Sequence, residues 1–117
     1  MRHKVKKIQL GSDKDHRVAL IRNLAMQIII HDGIKTTAAK AKAVQPFVER
    51  LITIAKNSEK VHGIREVNRL IQHEDSAKKI FEVLLEKYKN HTSGYTRIVK
   101  LGYRNGDRAP VVQIELV

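Results

Sequence analysis

The chain has 117 residues, 42% of them apolar and 30% charged, with 23 Lys/Arg against 12 Asp/Glu, no cysteine and a formal net charge of +11 at pH 7. That length and apolar content suit one domain with a core of its own, and the missing thiols exclude a disulfide framework, thiolate chemistry and a thiolate metal site. The charge calls for a polyanionic partner, nucleic acid ahead of an anionic membrane surface.

No apolar run reaches the roughly 20 residues of a membrane-spanning helix. The stretch Leu24–Ile30 lies too far in for a signal peptide and is interrupted by Gln27. Asp13, Asp15 and the lack of a Ser/Arg-rich leader argue against a transit peptide, so a cytoplasmic location is expected. Charge is uneven along the chain. Residues 1–58 hold twelve Lys/Arg against four Asp/Glu, residues 59–86 five against six, and residues 87–117 six against two. Two basic ends around a near-neutral middle place that middle segment away from a charged face.

Residues 1–11 lack periodicity and read as an extended arm, giving a basic N-terminal arm over 1–12 and a single globular domain over 13–117. From Met1 to Arg22 the seven cations Arg2, Lys4, Lys6, Lys7, Lys14, Arg17 and Arg22 face only Asp13 and Asp15. Ser12-Asp13-Lys14-Asp15 has the form of a capping box and starts a helix near Asp13. The helix should run to about His31, with Asp32-Gly33 as the stop. Val18, Ile21, Ala25, Ile28 and Ile29 form its stripe, widened by Leu20, Leu24 and Ile30 to a helix buried over most of its surface.

Ile34-Lys35-Thr36 is short and β-branched enough for an edge strand. Thr37 is placed to cap a second helix with the stripe Val44, Phe47, Val48, Leu51, Ile52 and Ala55. Pro46 falls inside it, and because the stripe continues in phase the expectation is one kinked helix. Ile64, Val67, Leu70 and Ile71 suggest a third helix. After a break at His73-Glu74-Asp75, the residues Ala77, Ile80, Phe81, Leu84, Leu85 and Tyr88 mark a fourth. Asn90–Gly94 is a loop. Beyond it YTRIVKLGY, NGDRAP and VVQIELV read as strand, turn and strand of an antiparallel hairpin, with Val112, Ile114 and Leu116 pointing inward. Pro110 opens the second strand, where a missing donor is tolerated. The register of the first strand is not legible, since neither alternating set is cleanly apolar.

The run GYTRIVKLGYRNGDRAPVVQIEL resembles the C-terminal signature of the bacterial large-subunit ribosomal protein family numbered seventeen. MRH, HRVALIRNLA, IKTT and KAKAVQPFVERLITIAK are similar to the same family in the same order, so the resemblance covers nearly the whole chain; Val5, Lys7 and Pro46 depart from it. It implies an α/β (α+β) domain, with helices packed on a small, mostly three-stranded mixed sheet. It also implies a component of the large ribosomal subunit that binds ribosomal RNA and neighbouring ribosomal proteins, on the solvent side around the peptide exit, with no cofactor and no small-molecule substrate.

The candidate RNA-binding residues follow the charge. Arg2, Lys4, Lys6 and Lys7 can bridge phosphates and release counterions, or form a solubilising tail. His3 can stack on a base or meet a 2′-hydroxyl. His16, Arg17 and Arg22, on the early turns of the first helix, can reach around the buried stripe to RNA or stay solvated. Lys35, Thr36 and Thr37 enter a helix N-terminus whose amides attract phosphate. Lys40 and Lys42 do not share a helix face, so at least one of them can be a solvated charge. In the hairpin, Arg97, Lys100 and Arg104 can line phosphates. Tyr95 is a candidate for stacking on a base, and both Tyr95 and Tyr103 are equally open to a packing role.

Enzymatic readings find little support. The six histidines are scattered without a metal or acid–base spacing. Ser12, Ser58, Ser76 and Ser93 lie at helix starts or loops with no nucleophile elbow. A free-standing nucleic-acid regulator would need a groove-reading helix or a dimer seam, yet the most basic helix is also the most apolar. Specificity is therefore expected from RNA shape rather than from an aromatic platform, since Phe and Tyr make up only 4% of the chain.

Overall fold

The computed structural model describes His3, Leu10 and residues 13–117. The arm expected over residues 1–12, with Arg2, Lys4, Lys6, Lys7 and Ser12 of the capping box, lies outside the described residues except for the exposed His3 and the half-buried Leu10.

The first helix, α1 (Lys14–His31), begins where expected, but the cap is Asp13 rather than Ser12. The Asp13 carboxylate accepts a hydrogen bond from the His16 N–H at 2.8 Å, and Asp15 adds negative charge to the first turn, where the helix dipole favours it. At the other end Asp32 takes the left-handed conformation, φ 64°. Lys79 donates to the Ile30 carbonyl at 3.1 Å and to Asp32 Oδ1 at 2.8 Å, placing a cation on the negative end of α1. Gly33 then lies tight against a neighbouring strand. A Cβ there would stand 3.0 Å from Glu115 Cβ and 3.2 Å from the Ile114 carbonyl oxygen.

Strand β1 (Gly33–Thr37) is an edge strand, as its composition suggested. It leads directly into α2 (Ala38–Asn57), where Thr37 holds the capping position with extended backbone but makes no side-chain capping bond. The helix runs through Pro46 without interruption. Pro46 and Lys42 are both exposed, so the carbonyl deprived of its donor one turn back lies on the solvent side, where water can satisfy it.

Helix α3 (Lys60–Ile71) ends at Gln72, φ 53°. His73 then caps the fourth helix: its Nδ1 accepts from the Ser76 N–H at 3.2 Å and lies 2.6 Å from the fully buried Ser76 hydroxyl. This helix, α4 (Glu74–Lys79), continues unbroken through a π-helical segment, Ile80–Leu84, and a last α turn, Leu85–Lys87. The Leu85 N–H donates to the Ile80 carbonyl, five residues back. Ile80, Leu84 and Tyr88 are all buried along it.

Strands β2 (Thr96–Tyr103) and β3 (Pro110–Leu116) form the expected hairpin, with Pro110 opening the second strand. The sheet order is β1-β3-β2 and both pairings are antiparallel. This corrects the mixed sheet implied at the outset: β1 and β2 run in the same direction, but β3 stands between them, so no parallel ladder forms. Val112, Ile114 and Leu116 face inward and are buried, as their alternation predicts. On β2 the register is Thr96↔Leu116, Ile98↔Ile114 and Lys100↔Val112, followed by a bulge before Gly102↔Val111. Leu101 is the extra residue and is exposed, while Val99, before the bulge and opposite Gln113, is exposed on the outer face.

The inner face of the sheet packs against α1 and α2, and α3 packs against the same two helices. The core is built from Ala25, Ile28 and Ile29 of α1, the α2 stripe, and Val67, Ile80, Leu84, Tyr88 and Ile114. The α1 stripe is narrower than its sequence suggests. Only Ala25, Ile28 and Ile29 are fully buried, Ile21 and Leu24 are half-buried, and Val18 is 42% exposed. An apolar periodicity says which side of a helix can be buried, not which turns find a neighbour.

Candidate nucleic-acid interface

Where β1 passes into α2, the turn end of the hairpin comes alongside and a groove of ≈ 590 Å³ forms between them. It is lined by Lys35, Thr36, Thr37 and Lys40 on one side, and by Leu101, Gly102, Tyr103, Arg104, Asn105 and Val111 on the other. No carboxylate is among these lining residues. The β2 bulge shapes the second wall, because Gly102 takes φ 130°, a conformation that side-chain-bearing residues rarely adopt. Tyr103 beyond it is 75% exposed, the most exposed large apolar side chain described. The Arg104 N–H donates to the Ala109 carbonyl at 2.9 Å and closes the turn. Its guanidinium pairs with Asp107, with Nε donating to Oδ1 at 3.1 Å and Nη2 donating to Oδ2. That pair, with a bond from the Ala109 N–H, holds the Asp107 carboxyl down at about 2.

Of the residues singled out from the sequence, Lys35, Thr36, Thr37, Lys40 and Arg104 come together at this groove. The α2 N-terminus opens beside it with no acidic residue in its first turn. The other candidates are spread over the molecule. His16 is exposed at the start of α1, Arg17 beside it is half-buried, and Lys42 is exposed on α2. Lys100 is exposed on β2. Arg97 is held on the outer face of the sheet by Glu115, with Nε donating to Oε1 at 2.7 Å.

Two candidates have structural work instead. Arg22 is half-buried, and its Nε donates to the Leu70 carbonyl at 2.9 Å, tying α1 to the last turn of α3. Tyr95 is 3% exposed, so its ring has no face to offer a base. It packs edge-on to Tyr88 at 5.1 Å, lies under Lys56 Nζ at 5.2 Å, and donates its hydroxyl to the Thr92 carbonyl at 3.1 Å. The stacking role considered for Tyr95 therefore gives way to packing. Tyr88 beside it donates its hydroxyl to the Val117 carbonyl at 3.0 Å. Burial, with a smaller contribution from the Asp32 carboxylate, pushes its phenol up to about 12.

Sequence reasoning left Tyr103 and Asn105 outside the candidate set. The available signal was their position flanking the NGDRAP turn. Tyr103 is exposed at the end of β2, opposite the exposed Pro110, a position that depends on the strand pairing and that no periodicity reveals. Among the described residues there is no cluster of three or more His, Cys, Asp or Glu able to hold a metal ion, and no helix long and apolar enough to cross a membrane.

Comparison with known proteins agrees with the resemblance in the chain's motifs. The chain is 44% identical over 117 residues to the large ribosomal subunit protein bL17 of Maricaulis maris (strain MCS10), covering all of this chain and 83% of that protein. It is 43% identical over 118 residues to the bL17 of Wolbachia pipientis subsp. Culex pipiens (strain wPip), again covering all of this chain and 83% of the relative. Against the bL17 of Ehrlichia canis (strain Jake) it is 42% identical over 120 residues, covering all of this chain and 91% of the relative. The family described as Ribosomal protein L17 matches residues 20–117, from the middle of α1 through the whole hairpin, and the chain belongs to that family.

Proposed function

We propose that this chain is a structural constituent of the large subunit of a bacterial ribosome, in the cytoplasm. In this reading it binds ribosomal RNA through a basic arm and a basic face, contacts neighbouring large-subunit proteins, and catalyses no reaction. The observation that carries the reading is the groove between β1–α2 and the hairpin, which gathers Lys35, Lys40 and Arg104 without a lining carboxylate in a chain of net charge +11. Family membership supplies the polyanion, since the named relatives are large-subunit ribosomal proteins. Cations that neutralise phosphates release counterions, and this sequence-independent term supplies much of the affinity.

In this reading Arg2, His3, Lys4, Lys6 and Lys7 of the arm reach between RNA strands. His16, Arg17, Lys42, Arg97 and Lys100 contact phosphates around the body. Lys35, Thr36, Thr37, Lys40 and Arg104 act together at the groove. Residues 13–117 serve as the rigid unit that presents these groups. Arg22 belongs to the fold and Tyr95 to the core.

The test is a sucrose-gradient profile of ribosomes with the chain followed through a high-salt wash. Stoichiometric co-sedimentation with large subunits is expected, and a chain that stays at the top of the gradient refutes the reading. Deleting residues 1–11 should leave a folded protein with lowered incorporation; unchanged incorporation removes the arm from the binding account.

A further inference from the structure

The groove has a feature that phosphate neutralisation does not use. Tyr103, 75% exposed, stands at its wall among three cations, next to the amide side chain of Asn105. An exposed aromatic ring loses contact with water favourably only against another flat or apolar surface. In a duplex the base faces are already stacked on one another and closed to side chains, so an aromatic ring meets only a base that has left the stack. The volume, ≈ 590 Å³, falls in the range of roughly 300–1,000 Å³ common to small-molecule sites. The charge is arranged for an anion beside the ring. Lys35 and Lys40 approach from the β1–α2 side. Arg104 comes from the hairpin, oriented by Asp107 through Nε and Nη2, while its Nη1 makes no hydrogen bond among the described residues.

We propose that this groove takes one unstacked RNA nucleotide, its base against the Tyr103 ring and its phosphate among Lys35, Lys40 and Arg104. The inference rests on the RNA-binding reading above and adds to it a single-stranded contact at a defined place. Asn105, with one carbonyl and one amino group, is the neighbour able to meet the edge of the base. Leu101 and Val111 supply apolar floor beside the ring. Tyr103 closes β2 opposite Pro110, which is itself exposed, so the ring stands at the end of the sheet beyond the last buried pair.

The experiment uses large subunits assembled with the wild-type chain, with Tyr103→Ala and with Tyr103→Phe, each checked for stoichiometric content of the protein. Chemical probing of base accessibility along the large-subunit RNA is read together with ultraviolet crosslinking and mass spectrometry of the protein. One nucleotide is expected to gain reactivity several-fold in the Tyr103→Ala subunits and to return to the wild-type level with Tyr103→Phe. In wild-type subunits a nucleotide adduct is expected on Tyr103. Identical reactivity in fully loaded Tyr103→Ala subunits, with no adduct on Tyr103, overturns the inference and leaves the ribosomal reading intact. A wild-type chain that does not enter large subunits overturns the ribosomal reading, and this inference with it. Because Tyr103 is exposed and outside the core, the variants should have unchanged circular dichroism.

Discussion

Replacing Tyr88 with Phe separates a hydrogen bond from a pH effect in one side chain. The ring is 1% exposed and its hydroxyl donates to the Val117 carbonyl at 3.0 Å. The Tyr95 carbonyl, 3.4 Å from that hydroxyl, keeps its bond from the Val117 N–H at 3.0 Å. Tyr88→Phe therefore leaves one carbonyl short of a donor, at an expected cost of about 1 kcal/mol at neutral pH. Above pH 10 the sign turns. The phenol ionises at its ordinary 10.0 in the unfolded chain but at about 12 in the folded one. Below pH 10 it is neutral in both states and contributes no pH dependence. Between pH 10 and 12 the unfolded state loses its proton first, and the wild-type protein loses stability. Two pKa units correspond to roughly 2.7 kcal/mol at most. The hydroxyl lies beside the exposed terminal residue Val117, so water screening reduces this to about 1–2 kcal/mol.

The variant has no such group. It should be less stable than wild type by about 1 kcal/mol at pH 7 and should equal or overtake it by pH 12. The assay is urea unfolding followed by circular dichroism on both proteins at matched pH from 7 to 12. Lysine titration is common to both proteins and cancels in the difference. A stability difference that stays constant across the whole range would refute the buried-phenol reasoning.

Core truncation at Ile28→Ala, a fully buried position, should cost about 2–5 kcal/mol in the same unfolding assay. Val99→Ala, on the exposed outer face, should stay within about 0.5 kcal/mol; equal losses at the two sites would mean the core is misplaced. Arg22→Ala should lower stability by about 1 kcal/mol through the lost Leu70 carbonyl bond, with an unchanged salt dependence of RNA binding. A shallower salt slope with no change in melting would return Arg22 to the RNA interface. Arg104→Ala should let the Asp107 carboxyl rise from about 2 towards its ordinary 3.8. Ionised Asp107 stabilises the folded turn above pH 3.8, and that stabilisation is lost as pH falls through about 2. Carbon-detected NMR titration of Asp107 in the two proteins checks it, and an unmoved midpoint disposes of the pairing.

The amino-acid sequence by itself determined which segments are helix and which are strand, because those choices rest on backbone geometry and side-chain spacing within a few residues. The α2 stripe is buried as its period predicts except for Phe47, which is half-buried, and the β3 alternation Val112, Ile114, Leu116 points inward. The motifs also carried the family, since order and spacing survive in the primary structure. What only the tertiary structure decided is which of those surfaces finds a partner. Val18 continues a helical stripe yet is exposed among the described residues, at a groove it shares with Phe47 of α2 and Leu70 of α3 rather than in a closed contact. Tyr95 and Tyr103 sit in one hairpin with the same side chain, and equal roles were open to both. Packing against Tyr88 and Lys56 buried the first, and the last pairing of β2 with β3, opposite the exposed Pro110, left the second at the mouth of a basic groove. Lys35, Lys40 and Arg104 are a cluster only because β1 and β2 flank the same strand, a pairing of distant segments that local spacing does not encode.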